Sequence, residues 1–261
     1  MKHIAVKTLA LLLSITITLT TNASIISFNL LTDNSEPFIS YSNPYHDIFT
    51  NTSDGFQIYQ RGINNTIPSA LLDDSSTATS DNLGLIDSRN QQKFFGIVDT
   101  VNPDNPTDFA TASWLIDISN LTMLTFLIDM AAMGDFEASD QFWWRYSIDN
   151  APLETVFQGV TDESAANNYI LESGTEISLF DPITVNSTLL NNKFQHFFST
   201  LAGSGNVLKL ELTAKTNSGS EVIAFQNVQL QGKAQSISVN EPASLPILLL
   251  TIIFIFKRSW W

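Results

Sequence analysis

The stretch QFWWRYSID, Gln141 to Asp149, decides the fold class. Read in steps of two, it places Phe142, Trp144, Tyr146 and Ile148 on one side and Trp143, Arg145 and Ser147 on the other. A helix would scatter those apolar residues around its axis, whereas a β-strand gathers them on one face. The stretch stops at Asp149-Asn150, residues that favour a tight turn. A strand with one apolar face needs a second layer to cover it, which points to stacked sheets.

The same grammar recurs on both sides. Ala112–Ser119 (ASWLIDIS), Met123–Met133 (MLTFLIDMAAM), Asn206–Thr216 (NVLKLELTAKT) and Val222–Gly232 (VIAFQNVQLQG) are short runs rich in β-formers. Breaks fall at Gly134-Asp135, at Gly203-Ser-Gly205 and at Asn217-Ser-Gly219. Repeated short strands with such turns predict an all-β fold, a single jelly-roll-like β-sandwich over residues 24–233. In the N-terminal third a strand is expected around Gln57–Gln60. Asp73–Asp81 and the proline-bearing Val98–Phe109 read as loops. Asn191–Leu201 fits a helix, with Phe194, Phe197 and Phe198 on one side, and equally fits a strand. No repeat or heptad is evident, and no linker divides the 24–233 stretch.

Composition narrows the chemistry. The 261 residues carry 12 Lys and Arg against 26 Asp and Glu, a formal charge of −14. Nucleic-acid binding through phosphate neutralisation needs clustered cations, so that partner is not expected. The absence of cysteine excludes disulfides, thiolate metal sites and cysteine nucleophiles. An acidic surface suits solubility, calcium, or a neutral polar partner such as a glycan.

Both ends read as addresses. Residues 1–23 combine Lys2, an apolar core from Leu9 to Leu19 and small residues at Thr21 and Ala23. That is the plan of a secretory signal, with cleavage expected between Ala23 and Ser24. The apolar core is about half the ~20 residues that a membrane span needs. After a spacer at 234–238, residues 239–261 hold Glu241-Pro242, the small pair Ala243-Ser244, an apolar run from Leu245 to Phe256 and the cations Lys257 and Arg258. As a helix, that run would reach only about 18 Å of a ~30 Å hydrocarbon core. This tail resembles the PEP-CTERM sorting signal of Gram-negative bacteria, although Asn240 stands where the first proline of that motif is expected. The resemblance implies processing by an exosortase-like protease, passing anchorage in the inner membrane, and delivery to the cell surface or extracellular matrix.

Three carboxylates, Asp135, Glu137 and Asp140, crowd MGDFEASDQF between two strands. They repel one another unless hydrogen bonds or a cation compensate. A solvated acidic turn and a Ca²⁺ site, which would use several oxygen ligands, both fit. The acidic turn, the YSID strand and SEVIAFQNVQL together resemble bacterial secreted jelly-roll and carbohydrate-binding-like domains. By that resemblance, Glu221 and Asn227 would join the three as calcium ligands. A second group, Asp99, Asn102, Asp104, Asn105 and Asp108, is expected to serve turn chemistry first.

Trp143 and Trp144 are consecutive in a strand, so one faces the core and the other faces out. Both are candidate ligand-binding residues, since an indole can stack on a sugar ring, and a covering loop is the competing expectation for the outward one. His46 and His196 are the histidines outside the signal, and neither accompanies a Gly-x-Ser-x-Gly elbow. The expectation is an exported, non-catalytic binding or matrix module that contacts polysaccharide. The alternative is a secreted hydrolase of polysaccharide or phosphoester.

Overall fold

Alternation of large apolar and polar residues becomes, in the computed structural model, an array of strands in two facing sheets. The structure describes residues 24–31, 38–63, 66–74, 82–106 and 109–235. The signal segment before Ser24, the sorting tail with Glu241 and Pro242, Asp108, and residues 75–81 of the Asp73–Asp81 loop lie outside these. In chain order the strands begin with β1 (Ile25–Asn29), β2 (Phe38–Ser42), β3 (Gly55–Tyr59), β4 (Leu72–Asp73), β5 (Ile86–Asp87) and β6 (Phe94–Val98). The middle of the chain supplies β7 (Ala110–Asp117), β8 (Leu121–Gly134), β9 (Gln141–Ile148), β10 (Glu154–Thr161), β11 (Ala166–Ile170) and β12 (Glu176–Phe180). The last group is β13 (Ile183–Val185), β14 (Thr188–Leu189), β15 (Gln195–Thr200), β16 (Val207–Lys215) and β17 (Glu221–Ala234). A single 3₁₀ turn at Ser69–Leu71 is the helical segment among the described residues. The stretch that fitted either a helix or a strand is strand β15.

The first sheet runs β15-β8-β17-β6-β3, with β1 also on β17; the second runs β14-β13-β10-β9-β16-β7-β2. All pairings in both are antiparallel. Strand β17 pairs with β6 along Val222–Gln226 and with β1 along Gln229–Lys233. Its register against β8 shifts between those halves, where Asn227 takes a left-handed φ of 49°. The hairpin turns use residues that tolerate positive φ: Asp149-Asn150 after β9 and Asn186-Ser187 after β13.

Between the sheets lies the main core. Trp114 stacks on Trp144 at 5.4 Å, and Phe225 meets Trp144 edge-on at 5.4 Å and Phe142 at 5.0 Å. Ile128, Met130, Leu210 and Leu212 fill the space around them, fully buried. A second core forms on the outer side of the first sheet, where Phe94, Met133, Val222 and Ala224 meet Leu71 and Ile86. The β11–β12 hairpin contributes Tyr169 and Leu171 to it. This explains why β8 and β17 lose their alternation at one end: there both faces of the strand are covered. Residues Ile25–Gln235 form one compact unit.

Candidate cation centre and ligand face

The acidic loop leaves β8 at Gly134, directly opposite Glu221 at the start of β17. A Cβ on Gly134 would lie 2.9 Å from the Glu221 Cα, so only glycine lets the backbones approach this closely. Phe136 then drops into the core, and the chain turns back through a bond from the Asp140 amide to the Glu137 carbonyl (2.8 Å). The Glu137 amide donates to Asp140 Oδ2 (2.8 Å). The Thr161 hydroxyl, at the end of β10, donates to the carbonyls of Glu137 (2.8 Å) and Asp140 (3.2 Å). From the other side, the Asn217 amide donates to Glu221 Oε2 (3.2 Å).

These contacts bring Glu137, Asp140 and Glu221 together, with one carboxylate oxygen of each within 4.8 Å of the others. Asp140 and Glu221 are buried, Glu137 is exposed, and Asp140 Oδ1 is buried with no N–H or hydroxyl donor, leaving the neighbouring carboxyls as its partners. The electrostatics register the crowding. Burial, and next the charge of Asp140, push the Glu221 carboxyl up to about 9. Burial and the neighbouring Glu137 push Asp140 up to about 6, while hydrogen bonding to Asp140 holds Glu137 below its ordinary range. Three convergent carboxylate oxygens, two of the groups buried, have the donor chemistry of a hard cation site.

The structure does not bring the other two expected ligands into this cluster. Asp135 is exposed and precedes Phe136, ahead of the turn that joins Glu137 to Asp140. Asn227 sits six residues along β17 from Glu221, and its amide donates instead to Asp129 on β8. The second acidic group is a set of turns: Asn102 Oδ1 accepts from the amides of Asp104 (2.9 Å) and Asn105 (3.3 Å). There Asp104 also accepts from the Thr50 amide (2.7 Å).

Strand β9 continues directly from Asp140, and its alternation separates the two tryptophans. Trp144 is fully buried among Trp114, Phe126 and Phe225, which corrects its expectation as a ligand-binding residue. Its neighbour Trp143 faces outward on the second sheet and is half-buried, its ring 5.3 Å from that of Phe109. The Lys215 ammonium lies over the far ring at 5.9 Å. Across the strands, Trp143 has Gln158 on one side and Thr213 on the other, with Thr111 beyond. One step along, the Arg145 guanidinium donates to Glu211 Oε1 (2.6 Å) and to the Thr213 hydroxyl (3.1 Å). The Lys209 ammonium donates to the other Glu211 oxygen (2.6 Å). Arg145 Nε is buried with no partner.

This polar ladder beside Trp143 was not legible in the chain. Arg145 is two residues from Trp143, but Lys209, Glu211 and Thr213 lie on another strand, and only the register between β9 and β16 puts them alongside.

No protein-family model and no curated protein matches the chain. Among solved structures it is similar to an exo-β-agarase, with a TM-score of 0.34 and 9% identity over 75% of this chain and 25% of that one. It is also similar to TmCBM61 in complex with β-1,4-galactotriose, with a TM-score of 0.30 and 6% identity over 68% of this chain and 88% of that one. The chain thus spans a quarter of the agarase.

Proposed function

We propose that this protein is an exported, non-catalytic β-sandwich that binds neutral polysaccharide through the Trp143 face of its second sheet. The carrying observation is the outward indole of Trp143, bordered across the strands by Gln158, Thr213 and the Arg145–Glu211 pair. A pyranose presents an apolar ring face and a rim of hydroxyls. The indole takes the first; the exposed Gln158 amide and the partly exposed Arg145 and Lys209 offer polar groups to the second, while Glu211 and Thr213 are buried beneath them and hold the row in place. Phe109 braces the indole on one side and so reduces the entropy lost when a sugar orders it.

Calcium at Glu137, Asp140 and Glu221 supports that face mechanically. It ties Asp140, three residues before Trp143 in the loop that launches β9, to Glu221 at the start of β17. The convergence of three carboxylate oxygens within 4.8 Å, with Asp140 and Glu221 buried, favours this reading over a solvated turn. Burial of Asp140 and Glu221 also argues against the hydrolase alternative, because a glycosidic acid and base must reach the bond they cleave. The leader is removed before Ser24, and an exosortase-like protease acts near Glu241-Pro242. The inner membrane is a transient anchor, and the cell surface or matrix is the destination.

Affinity electrophoresis through gels containing a neutral β-galactan, β-glucan or mannan tests the reading, with calcium and with chelator. Retardation by at least one polymer, weakened by chelator, is expected, with no release of reducing ends. Sustained hydrolysis by the wild type, abolished in Asp140→Asn, would overturn the non-catalytic reading. Intact mass of the exported form should begin at Ser24.

A further inference from the structure

The outer side of the first sheet holds a second aromatic feature that the Trp143 reading leaves unused. Phe198, on the edge strand β15, is 70% exposed, the most open large apolar side chain among the described residues. Strand alternation turns its neighbour Phe197 inward against Phe157 and leaves His196 and Phe198 side by side outside. Their ring centroids are 6.4 Å apart and the ring planes are inclined by 30°, so the two form an adjacent aromatic pair, or strip, along the strand. His196 Nδ1 lies 2.7 Å from Asp129 Oδ1 on β8, and the Asn227 amide donates to the second Asp129 oxygen from β17. This carboxylate fixes the imidazole and the amide at once. Across from Phe198 stands Leu127, and beyond it Gln229, which the Ser27 hydroxyl of β1 steadies at 3.1 Å.

We propose that this strip is a second site for neutral polysaccharide, so that one molecule holds two glycan chains on opposite sides of the sandwich. The inner residues of both sheets share one core, and the outward faces therefore point away from each other. The chemistry selects the occupant. An exposed pair of aromatic rings rimmed by amides and a carboxylate suits a sugar ring and its hydroxyls. Asp129 and the overall charge of −14 repel polyanions. A protein partner would need roughly 800 Å² of complementary surface, whereas the apolar surface here is Phe198 with the half-buried Leu127 beside it, bordered by His196, Asp129 and Gln229. The cross-linking function rests on the Trp143 reading; the Phe198 strip is argued from its own residues.

The test uses the full chain with β-galactan, β-glucan and mannan as probes and polygalacturonate as the anionic control. Light scattering should report cross-linked particles with the wild type. Phe198→Ala and Trp143→Ala should each keep partial gel retardation, weaker by roughly tenfold, and each should lose cross-linking. The double variant should lose both, with melting temperatures unchanged because both rings lie on outer faces. If Trp143→Ala alone removes all retardation and Phe198→Ala changes nothing, the second site is overturned and the first stands. If Phe198→Ala alone removes it, the Trp143 reading falls instead. Absence of wild-type retardation on every neutral probe overturns both. A wild-type dimer in sedimentation that Phe198→Ala dissociates would assign the strip to pairing of copies along the β15 edge and overturn the proposal.

Discussion

Trp143 and Trp144 are adjacent in sequence and opposite in role, because a strand reverses its side chains at every residue. Trp144 touches three aromatic rings in a closed core, so Trp144→Ala should cost about 3–5 kcal/mol and lower the melting temperature sharply. Trp143→Ala should change stability little; thermal melts of the two variants check the contrast, and equal losses would contradict it. The carboxylates make a prediction in pH. Glu221 is raised from an ordinary 4.5 to about 9, so the folded, cation-free protein binds a proton that the unfolded chain has released. The stability this contributes is full below about pH 4.5 and is lost as pH rises toward 9. In chelator the melting temperature should therefore fall across that window, and Glu221→Gln should flatten the decline. An identical slope in wild type and variant would exclude Glu221 as the source. Calcium at the proposed site would take the place of the proton, so adding it should reduce the decline.

Strands make themselves visible in a sequence when one face is buried and the other wet. Strands β7, β8, β9, β16 and β17 met that condition over most of their length, and the predicted runs match their positions within a few residues. Strands β11 to β14 are two to five residues long, and the exposed positions of β11 and β12 include apolar Ile170 and Phe180, so no clean alternation marks them. In β15 the spacing of Phe194, Phe197 and Phe198 suits two periods, and pairing with β8 decides between them. The carboxylate cluster was partly legible. Crowding in one loop marked Glu137 and Asp140, and the resemblance to carbohydrate-binding-like domains added Glu221. The turn geometry that leaves Asp135 outside, and the bulge that sends Asn227 to Asp129, arise from tertiary contacts. Close approach is equally hidden. A Cβ on Gly159 of β10 would lie 2.1 Å from the Phe142 ring, which Phe225 holds edge-on. Gly159→Ala should accordingly destabilise by about 1–3 kcal/mol, seen as a lower urea midpoint with an unchanged m-value. An unaltered midpoint would mean that the ring moves aside freely.

At the scale of the whole molecule, a sandwich without disulfides depends on its two apolar cores and on whatever ties its loops. Calcium that binds only the folded chain, at about 100 times its dissociation constant, adds about 2.7 kcal/mol. For a chain of this size that is a rise of roughly 5–10 °C in melting temperature. Asp140→Asn should abolish the rise, and calorimetric scans with and without chelator read it directly; a rise of the same size in the variant would move the cation elsewhere. The role of the outward indole is read by titration calorimetry of a neutral polysaccharide fragment into wild type and Trp143→Ala, each shown by thermal melt to be equally folded. The account predicts that the first-face affinity falls by roughly tenfold or more in the variant. Unchanged affinity and stoichiometry in an equally folded Trp143→Ala would contradict it.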